Sequence, residues 1–377
     1  MKVEVPAGPV HPALLEPFRI RFLVEDEVIE DCEITFNAPH KGVERILEGV
    51  PIKNANIITE RICGICSHIH LWNSCRVTER ALGIEIPARA IRLRVMTAEL
   101  ERLHSHLLFF GHGFETLGHE TFGYRSFALR EPVMRILSAV SGNRVHYGVP
   151  IIGGVRPRCD PDKEEVTKIK AMVEKLGHDL AAFTERVLAD PMIISRIDGT
   201  GHLSKKDAEK TCGVGPVARS SGIKHDFRAE IPEYEGLDFK MMSSRAGDNK
   251  ARFFARGYEM MESIRMITHI LDDLPGGPIM SPVKPSYDTE FTTSYLEAPR
   301  GELFHGLRID AEGKARNYRI RTPTTTNLGA VEKACIGDHL TDGMMTIVSC
   351  DPCICCANRA QVVDVKTGRE ETIDFGR

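Results

Sequence analysis

The sequence predicts an α+β protein that is mostly helical, with a central bundle of long helices, a small N-terminal antiparallel sheet and a buried metal site. Three observations predict this class: alternating apolar and polar residues near the N-terminus, long stretches with apolar residues at helical spacing, and two widely separated cysteine pairs. No low-complexity linker, sustained repeat or block of like charges marks a boundary, so we expect one domain over residues 1–377.

The first 55 residues are expected to form the small sheet. Apolar and polar side chains alternate in Phe18 to Val24 and in Asp31 to Phe36, which is typical of strands with one buried face. We expect residues 56–359 to form a helical core that contains both cysteine pairs.

Four later segments carry apolar residues at helical spacing and are long enough to form a bundle. They are Ala88 to Gly111, Glu131 to Tyr147, Asp162 to Leu188 and Asp248 to Asp273. The sequence Pro275-Gly276-Gly277-Pro278 ends the last of them.

A shorter mixed region follows the helices. Gly306 to Asp310 and Asn317 to Arg321 have the composition of strands on either side of a turn at Glu312 to Lys314. The tail, residues 360–377, contains two predicted short strands around Thr367-Gly368.

Composition excludes several function classes. The net charge of −4 gives no reason to expect a nucleic-acid partner. No run of about 18 apolar residues and no export signal is visible. The cysteine count is 11, an odd number without the pattern of a small secreted framework, so a reducing cytoplasm is the expected setting.

The two cysteine pairs are the strongest functional signal. Cys63 and Cys66 form one C-x-x-C step, and Cys353 and Cys356 form the other. Each pair can hold one metal from one side, and soft thiolates favour zinc, nickel, copper and iron. A structural zinc site is one reading, but zinc ribbons usually place about 15 to 20 residues between their pairs. Pairs this far apart favour a catalytic metal inside a finished core.

Several motifs resemble those of NiFe-hydrogenase large subunits. Arg61 to His70 reads R-x-C-G-x-C-x-x-x-H, and Asp351 to Cys356 reads D-P-C-x-x-C. Gly8 to Pro17, His40 to Glu44 and Gly213 to Gly222 are similar to blocks of the energy-converting, membrane-associated branch, group 4. The related catalytic subunit of respiratory complex I shares these last three blocks but lacks both cysteine pairs.

The resemblance implies a nickel–iron centre whose iron carries CO and cyanide ligands. By motif position, Cys63 and Cys353 match the terminal nickel ligands, and Cys66 and Cys356 match the sulfurs that bridge the metals. Two dications and four thiolates sum to zero charge, and cyanides make the centre anionic, so its burial requires cationic or hydrogen-bonding neighbours.

Three further positions match residues around that centre. Pro299 and Arg300 match the segment over the open metal position, where Arg300 would supply the counter-charge. Ser349 matches a hydroxyl that bonds a cyanide, and His70 matches a histidine that bonds a bridging sulfur. A lone Arg is otherwise most often exposed on the surface.

The resemblance also implies heterolytic splitting of dihydrogen, with a terminal thiolate such as Cys353 as the first base. Glu16 matches the acidic residue that then takes the proton in the group 4 branch. Without that context, a single Glu is usually a surface residue.

Glu44 matches a residue that helps to bind a magnesium or iron ion in other NiFe-hydrogenases. That ion usually also binds a C-terminal His, whereas Arg359 stands three residues after Cys356, which argues against magnesium. The Arg359/Ala360 bond is where a maturation protease would cut, and the sequence leaves open whether the tail is removed or retained.

The remaining cysteines are interpreted without a role in binding metal. Those without a close partner are expected to be buried, small apolar residues: Cys32, Cys75, Cys159, Cys212 and Cys335. Cys350 and Cys355 flank the ligands and are interpreted as sites liable to oxidation.

The expected partners follow from electron transfer. The chain has no further cysteine cluster of ferredoxin-like spacing and hence no iron–sulfur cluster of its own. The resemblance implies a small subunit with a 4Fe-4S cluster, ferredoxin or polyferredoxin, and membrane antiporter-like subunits at the inner face of the cell membrane. Two alternatives stay open: a complex I-like oxidoreductase module that is not a hydrogenase, and a zinc-stabilised assembly protein.

Overall fold

Four small antiparallel sheets are distributed along a mostly helical chain. The computed structural model describes residues 1–36, 41–283, 286–356, 360–363 and 370–373. The strands are β1 Lys2–Ala7, β2 Arg19–Glu25, β3 Val28–Thr35, β4 Pro150–Ile151, β5 Gly154–Val155, β6 Thr292–Ala298, β7 Gly301–Ile309, β8 Ala315–Arg321, β9 Ala360–Val363 and β10 Glu370–Ile373.

The N-terminal sheet has the order β1-β2-β3, with both neighbouring pairs antiparallel. Its β2 strand alternates exposed and buried side chains, as the sequence predicts, and Ile20 and Phe22 point into the core. The sheet ends at Thr35, and the prediction of sheet structure up to residue 55 is wrong for residues 43–55. Helices form there because Val43, Leu47 and Ile52 bury one apolar face.

The helices are α1 Val43–Leu47, α2 Ile52–Glu60, α3 Ser67–Leu82, α4 Ala88–Thr116, α5 Glu120–Ser141, α6 Lys163–Ala189, α7 Pro191–Ile197, α8 Lys205–Lys210, α9 Gly215–Ser220, α10 Asn249–Asp272, α11 Pro323–Cys335 and α12 Leu340–Ser349. Short 3-10 turns cover Pro157–Cys159, Phe227–Ala229, Pro232–Tyr234 and Ile354–Cys356. Thus the mostly helical class with small antiparallel sheets is confirmed.

Polar residues set the starts of two predicted helices. The Asp162 carboxylate accepts hydrogen bonds from the backbone N–H groups of Glu164 and Glu165, and the Glu165 carboxylate accepts one from the backbone N–H of Asp162. Helix α6 therefore begins with a capping box. Asp248 caps α10 through the N–H of Ala251 at 2.8 Å.

The helix predicted over Glu131 to Tyr147 is displaced. Helix α5 begins at Glu120 and contains Pro132, a residue that sequence rules place in the first turn of a helix. It ends where Gly142 adopts φ 87°, a conformation that glycine accepts readily.

Helix α4 packs against α5, α10 and α12, while α6 packs against both α5 and α10. The grouping of the long helices as a central bundle stays a prediction. Among the described residues, no helix combines the length and the apolar character that a membrane crossing requires.

The second three-stranded sheet has the order β6-β7-β8. The sequence predicted parts of β7 and β8 but not β6, which ends in the turn that carries Pro299 and Arg300. In the tail, β9 and β10 pair antiparallel, as predicted, with Val363 opposite Glu370. Thr367-Gly368 and Arg359 lie outside the described residues.

Two apolar clusters meet near the C-terminal cysteines. The larger cluster includes Cys353 and Cys356 together with residues of the long helices. The smaller one joins the N-terminal sheet to α11 and α12, and it includes Cys350 and Ile354. The second cysteine pair is therefore held between both clusters.

Candidate metal centre

The first cysteine pair occupies the short connection between α2 and α3. Cys66 is the residue just before the first turn of α3, and Cys63 accepts a hydrogen bond from the N–H of Ile65 at 3.2 Å. Both side chains are buried. The positive end of the α3 dipole therefore faces this pair and favours thiolates.

The second pair follows α12. Asp351 adopts φ 57°, which turns the chain sharply after the helix. The N–H of Cys353 then donates to Thr324 Oγ1 at 3.0 Å, and Thr322 Oγ1 donates to the carbonyl of Cys356 at 3.1 Å. The start of α11 thus fixes the backbone of the cysteine turn.

The four sulfurs converge. Cys63 and Cys353 are 290 residues apart in sequence, yet their sulfurs are 3.3 Å apart. The sulfurs of Cys66 and Cys356 are 3.4 Å apart, and all four lie within 4.8 Å of one another. This is a buried set of four soft ligands, which fits nickel, iron or zinc.

The thiols cannot all ionise by themselves at such short range. Hydrogen bonding with Cys353 lowers the pKa of Cys63 well below its usual value, whereas hydrogen bonding with the same Cys353 raises the pKa of Cys356. One thiolate is therefore favoured and further ones are opposed. Cations bound between the sulfurs would remove that opposition.

Arg300 is the nearest buried cation that the sequence predicted. Its Nε donates to the carbonyl of Asp351 at 2.8 Å, one Nη donates to the Asp351 carboxylate at 2.7 Å, and the other donates to Ser105 Oγ at 3.1 Å. Burial acts to lower the pKa of Arg300, but Asp351 and the cysteine sulfurs together raise it, so the guanidinium stays charged.

The glycine-rich block before α9 supports the turn that holds Arg300. Gly215 has φ 64°, and a Cβ atom there would lie 2.3 Å from the carbonyl oxygen of Arg300. Only glycine permits this approach.

A second arginine lies close by. Arg256 donates to the carbonyl of Ser349 at 2.9 Å, and its Nε lies 3.9 Å from the Asp351 carboxylate. Within the described part of the chain, Nε and one Nη of Arg256 lack a hydrogen-bond partner. Buried N–H groups of this kind can bind a further acceptor.

A small cavity borders Cys66 and Cys356. Pro299, Arg300 and Thr324 contribute to its lining. Ser349 does not line it: its hydroxyl donates to the carbonyl of Thr346 at 2.6 Å and accepts from Arg252 Nε at 2.7 Å. A contact between Ser349 and a cyanide stays a prediction.

His70 lies beside the second pair, as the motif predicts. Its Nε2 is 3.7 Å from Cys356 Sγ, and its Nδ1 is 3.1 Å from His305 Nε2. Burial lowers the pKa of His70 to about 4.

Both predicted carboxylates contact the backbone near the site. Glu16 is half-buried and accepts a hydrogen bond from the N–H of Cys355 at 3.0 Å, which places it against the cysteine turn. Glu44 is buried and accepts from the N–H of Ile320 at 2.6 Å. The proton relay at Glu16 and an ion at Glu44 stay predictions.

Besides Arg256, three neighbours of the site were missed from sequence. Thr324 accepts a hydrogen bond from the N–H of Cys353, and His305 shares one with His70. Just after the first pair, Glu101 accepts from Ser67 and from the N–H groups of His68 and Ile69. Burial raises the pKa of Glu101 to about 8. The proline–threonine step at the start of α11 marks a helix start at Thr324. Nothing in its spacing along the sequence connects Thr324 with the cysteines.

The other cysteines mostly agree with their interpretation. Cys32, Cys75, Cys159 and Cys335 are buried. The prediction that Cys212 is buried is wrong, because it lies exposed with φ 55° in the turn after α8.

Comparison with known proteins places the chain among subunits of redox complexes. The model for the 49 kDa subunit of respiratory-chain NADH dehydrogenase matches residues 116–292 and 284–359, and that for nickel-dependent hydrogenase matches residues 41–114.

Two curated relatives align with nearly the whole length of this chain. The membrane-bound hydrogenase subunit alpha of Pyrococcus furiosus is 35% identical, over 96% of this chain and 88% of that protein. Formate hydrogenlyase subunit 5 of Escherichia coli is 30% identical over 98% of this chain, which spans only 65% of that longer protein.

The solved membrane-bound sulfane sulfur reductase, an archaeal respiratory membrane complex, contains a chain of the same fold. The TM-score is 0.89 at 25% identity, over 95% of this chain and 98% of that one. The fold, the four cysteines and the relatives agree, and the chain therefore belongs to the family that unites the large subunits of nickel-dependent hydrogenases with the 49 kDa subunit of respiratory-chain NADH dehydrogenase.

Proposed function

We propose that this chain is the catalytic large subunit of an energy-converting NiFe hydrogenase, which oxidises H2 and reduces protons reversibly. The observation that carries the proposal is the convergence of four cysteine sulfurs within 4.8 Å. Cys63, Cys66, Cys353 and Cys356 would hold nickel and iron, and the long helices around them would act as the bundle that keeps the site rigid. A nickel–iron centre bound there would supply heterolytic splitting of H2.

The protein supplies charge and exclusion of water. Arg300 and Arg256 are buried cations beside Asp351, so they would balance an anionic centre with CO and cyanide ligands. Pro299 and Thr324 line the adjoining cavity. The Thr324 hydroxyl accepts from the N–H of Cys353 and still has its own hydrogen, which it could donate to a small ligand.

The proton route would begin at Cys353 and continue to Glu16. The Glu16 carboxylate contacts the cysteine turn at Cys355 and is half-buried. It can therefore take a proton near the sulfurs and release it toward solvent.

Changing Glu16 to Gln tests the relay. We expect unchanged metal content and a fall of about 10²- to 10⁴-fold in H2 turnover and in H/D exchange with solvent, because general acid–base transfer is lost. Glu4→Gln, at an exposed position of β1, is the control. Turnover of Glu16→Gln equal to that of Glu4→Gln would move the relay elsewhere.

Partners would supply the electrons and the membrane anchor. We propose a small subunit with a 4Fe-4S cluster, ferredoxin as donor or acceptor, and antiporter-like membrane subunits that couple the reaction to ion movement. This arrangement agrees with the membrane complexes of the relatives, and the chain would be peripheral at the inner face of the membrane.

A second candidate is a complex I-like reductase that is not a hydrogenase. The match to the 49 kDa subunit and the likeness to a sulfane sulfur reductase favour it. H/D exchange under H2 in D2O by the purified complex separates the two candidates. Exchange supports the hydrogenase, and its absence from a complex with nickel and iron bound contradicts it.

A further inference from the structure

A chain of buried polar side chains leads from Cys356 across the core to α2. Beyond His70 and His305, the His305 Nδ1 lies 3.0 Å from the Tyr318 hydroxyl, which lies 2.8 Å from Ser74 Oγ. Ser74 Oγ in turn lies 2.7 Å from Asn56 Oδ1. We refer to His70, His305, Tyr318, Ser74 and Asn56 as the polar chain; each member is at most 4% exposed.

Each contact in the polar chain holds one hydrogen atom. Burial lowers the pKa of His305 well below its usual value, so this imidazole is neutral, with one N–H and one lone pair. A hydroxyl likewise has one hydrogen to donate. When one member exchanges its donor and acceptor roles, its neighbours must do so as well. All hydrogen bonds along the polar chain are therefore donated in the same direction.

A metal bound to Cys356 would determine the direction in which the polar chain donates its hydrogen bonds. A cysteine that holds a metal is a thiolate and can only accept. His70 must therefore donate from Nε2 to Cys356, and it accepts at Nδ1 from His305. His305 then accepts from Tyr318.

With a thiolate at Cys356, Tyr318 must accept from Ser74, and Ser74 must accept from Asn56. In the structure both donations run the other way, from Tyr318 to Ser74 and from Ser74 to the Asn56 oxygen. An amide nitrogen at Asn56 can donate, whereas an amide oxygen can only accept and would turn the polar chain around.

The structure has the Asn56 oxygen facing Ser74 and the nitrogen 3.6 Å from Cys75 Sγ. A half-turn of the amide exchanges two atoms of similar size at the same positions. A cavity of about 600 Å³, lined in part by Asn56 and Cys75, gives the amide room to turn.

Cys75 can satisfy the turned amide. Burial raises the pKa of its thiol, which therefore keeps its hydrogen and can donate weakly to the Asn56 oxygen. With the amide turned, His70 has Cys356 as its partner at one end of the polar chain, and Asn56 has Cys75 at the other.

We propose that Asn56 is a positioning residue for the metal centre: its amide nitrogen starts a series of donations that ends with His70 donating to the sulfur of Cys356. The inference rests on the proposed function. An N–H donor withdraws electron density from a metal-bound thiolate, so the polar chain would tune the metals from Asn56 in α2.

The test is the infrared spectrum of the CO and cyanide ligands in the purified complex. Tyr318→Phe interrupts the polar chain, and Asn56→Asp, measured at alkaline pH where the new carboxylate only accepts, reverses it. In both variants we expect the bands to shift to lower wavenumber, because the sulfur passes more electron density to iron. Thr78→Val is the control, since its buried hydroxyl donates to the Ser74 carbonyl and stays outside the polar chain.

The outcomes are distinct. Bands at wild-type positions in Tyr318→Phe, or an equal shift in Thr78→Val, would overturn the inference. If Asn56→Asp fails to bind metal, the band positions of the conservative Tyr318→Phe variant decide whether the polar chain tunes the metals. A wild-type complex with no such bands would instead refute the proposed function itself.

Discussion

Two buried groups of charged or ionisable side chains differ in how their charges are balanced. One is the four-cysteine site, and the other is an ion-pair network around α4 and α10. The network consists of three arginines and four acids: Arg102, Arg219, Arg228, Glu99, Asp226, Glu259 and Glu297.

The network supplies its own counter-charges. Arg219 lies 2.7 Å from both Glu259 and Glu297 and 3.1 Å from Asp226. Burial acts to raise the pKa of Asp226 and of Glu259, but pairing with Arg219 and Arg228 outweighs it and lowers both. The four thiols have no comparable pairing among themselves, and ionisation of one opposes that of the next. The two groups are equally buried but differ in kind: the network pairs its own charges, whereas the four cysteines form a group that could hold a metal.

Changing Cys353 to Ser has the largest expected effect on this comparison. Loss of one soft ligand should abolish nickel incorporation and H2 turnover together, since a hydroxyl is a poor ligand for nickel. Elemental analysis and H2 evolution measure both. Cys212→Ser, at an exposed cysteine, should behave as wild type, and turnover in Cys353→Ser would refute the site assignment.

Arg219→Met tests the network. Removing Arg219 takes one cation from three buried acids, of which Asp226 and Glu259 keep Arg228, and should lower the free energy of unfolding by about 3–5 kcal/mol. Thermal unfolding of the complex measures this. Arg144→Met, at an exposed pair with Glu131, should change little; equal melting temperatures in the two variants would show that the network is not structural.

Arg300→Lys keeps the charge at the metal site but loses the planar group with its three hydrogen bonds. We expect a folded, metal-loaded enzyme whose turnover is about 10²- to 10³-fold slower, the scale for loss of one preorganised electrostatic group. Arg321→Lys, at an exposed arginine that pairs with Glu302, is the control. Full activity of Arg300→Lys would remove Arg300 from the mechanism.

The smallest predicted effect concerns pH. Burial raises the pKa of Glu297 from 4.5 to about 7, so the folded state holds a proton that the unfolded state releases. Stability should therefore fall as pH rises from about 4.5 to about 7, by at most about 3 kcal/mol. As pH rises, the melting temperature of Glu297→Gln should fall less than that of the wild type or of the control Glu312→Gln, at an exposed position. Parallel curves of melting temperature against pH would contradict this.

The sequence carried the local features of the site. The spacing of Cys63 with Cys66 and of Cys353 with Cys356 predicted two pairs of metal ligands, and the structure brings these four sulfurs together. Asp162 and Asp248 marked the starts of α6 and α10. These signals depend on neighbours within one or two helical turns.

The features that could not be predicted depend on contacts between distant segments. His305 meets His70 across 235 residues, and Thr324 reaches Cys353 only because β8 leads α11 to the cysteine turn. Cys212 was misjudged because cysteines are usually buried, whereas here a tight turn exposes it.

The infrared spectrum of the anaerobically purified complex, together with its nickel and iron content, decides whether the four cysteines hold a nickel–iron centre. We expect one nickel per chain and sharp carbonyl and cyanide bands. Zinc at the four cysteines without such bands in fully matured protein would contradict this expectation and favour the reductase or the assembly-protein alternative.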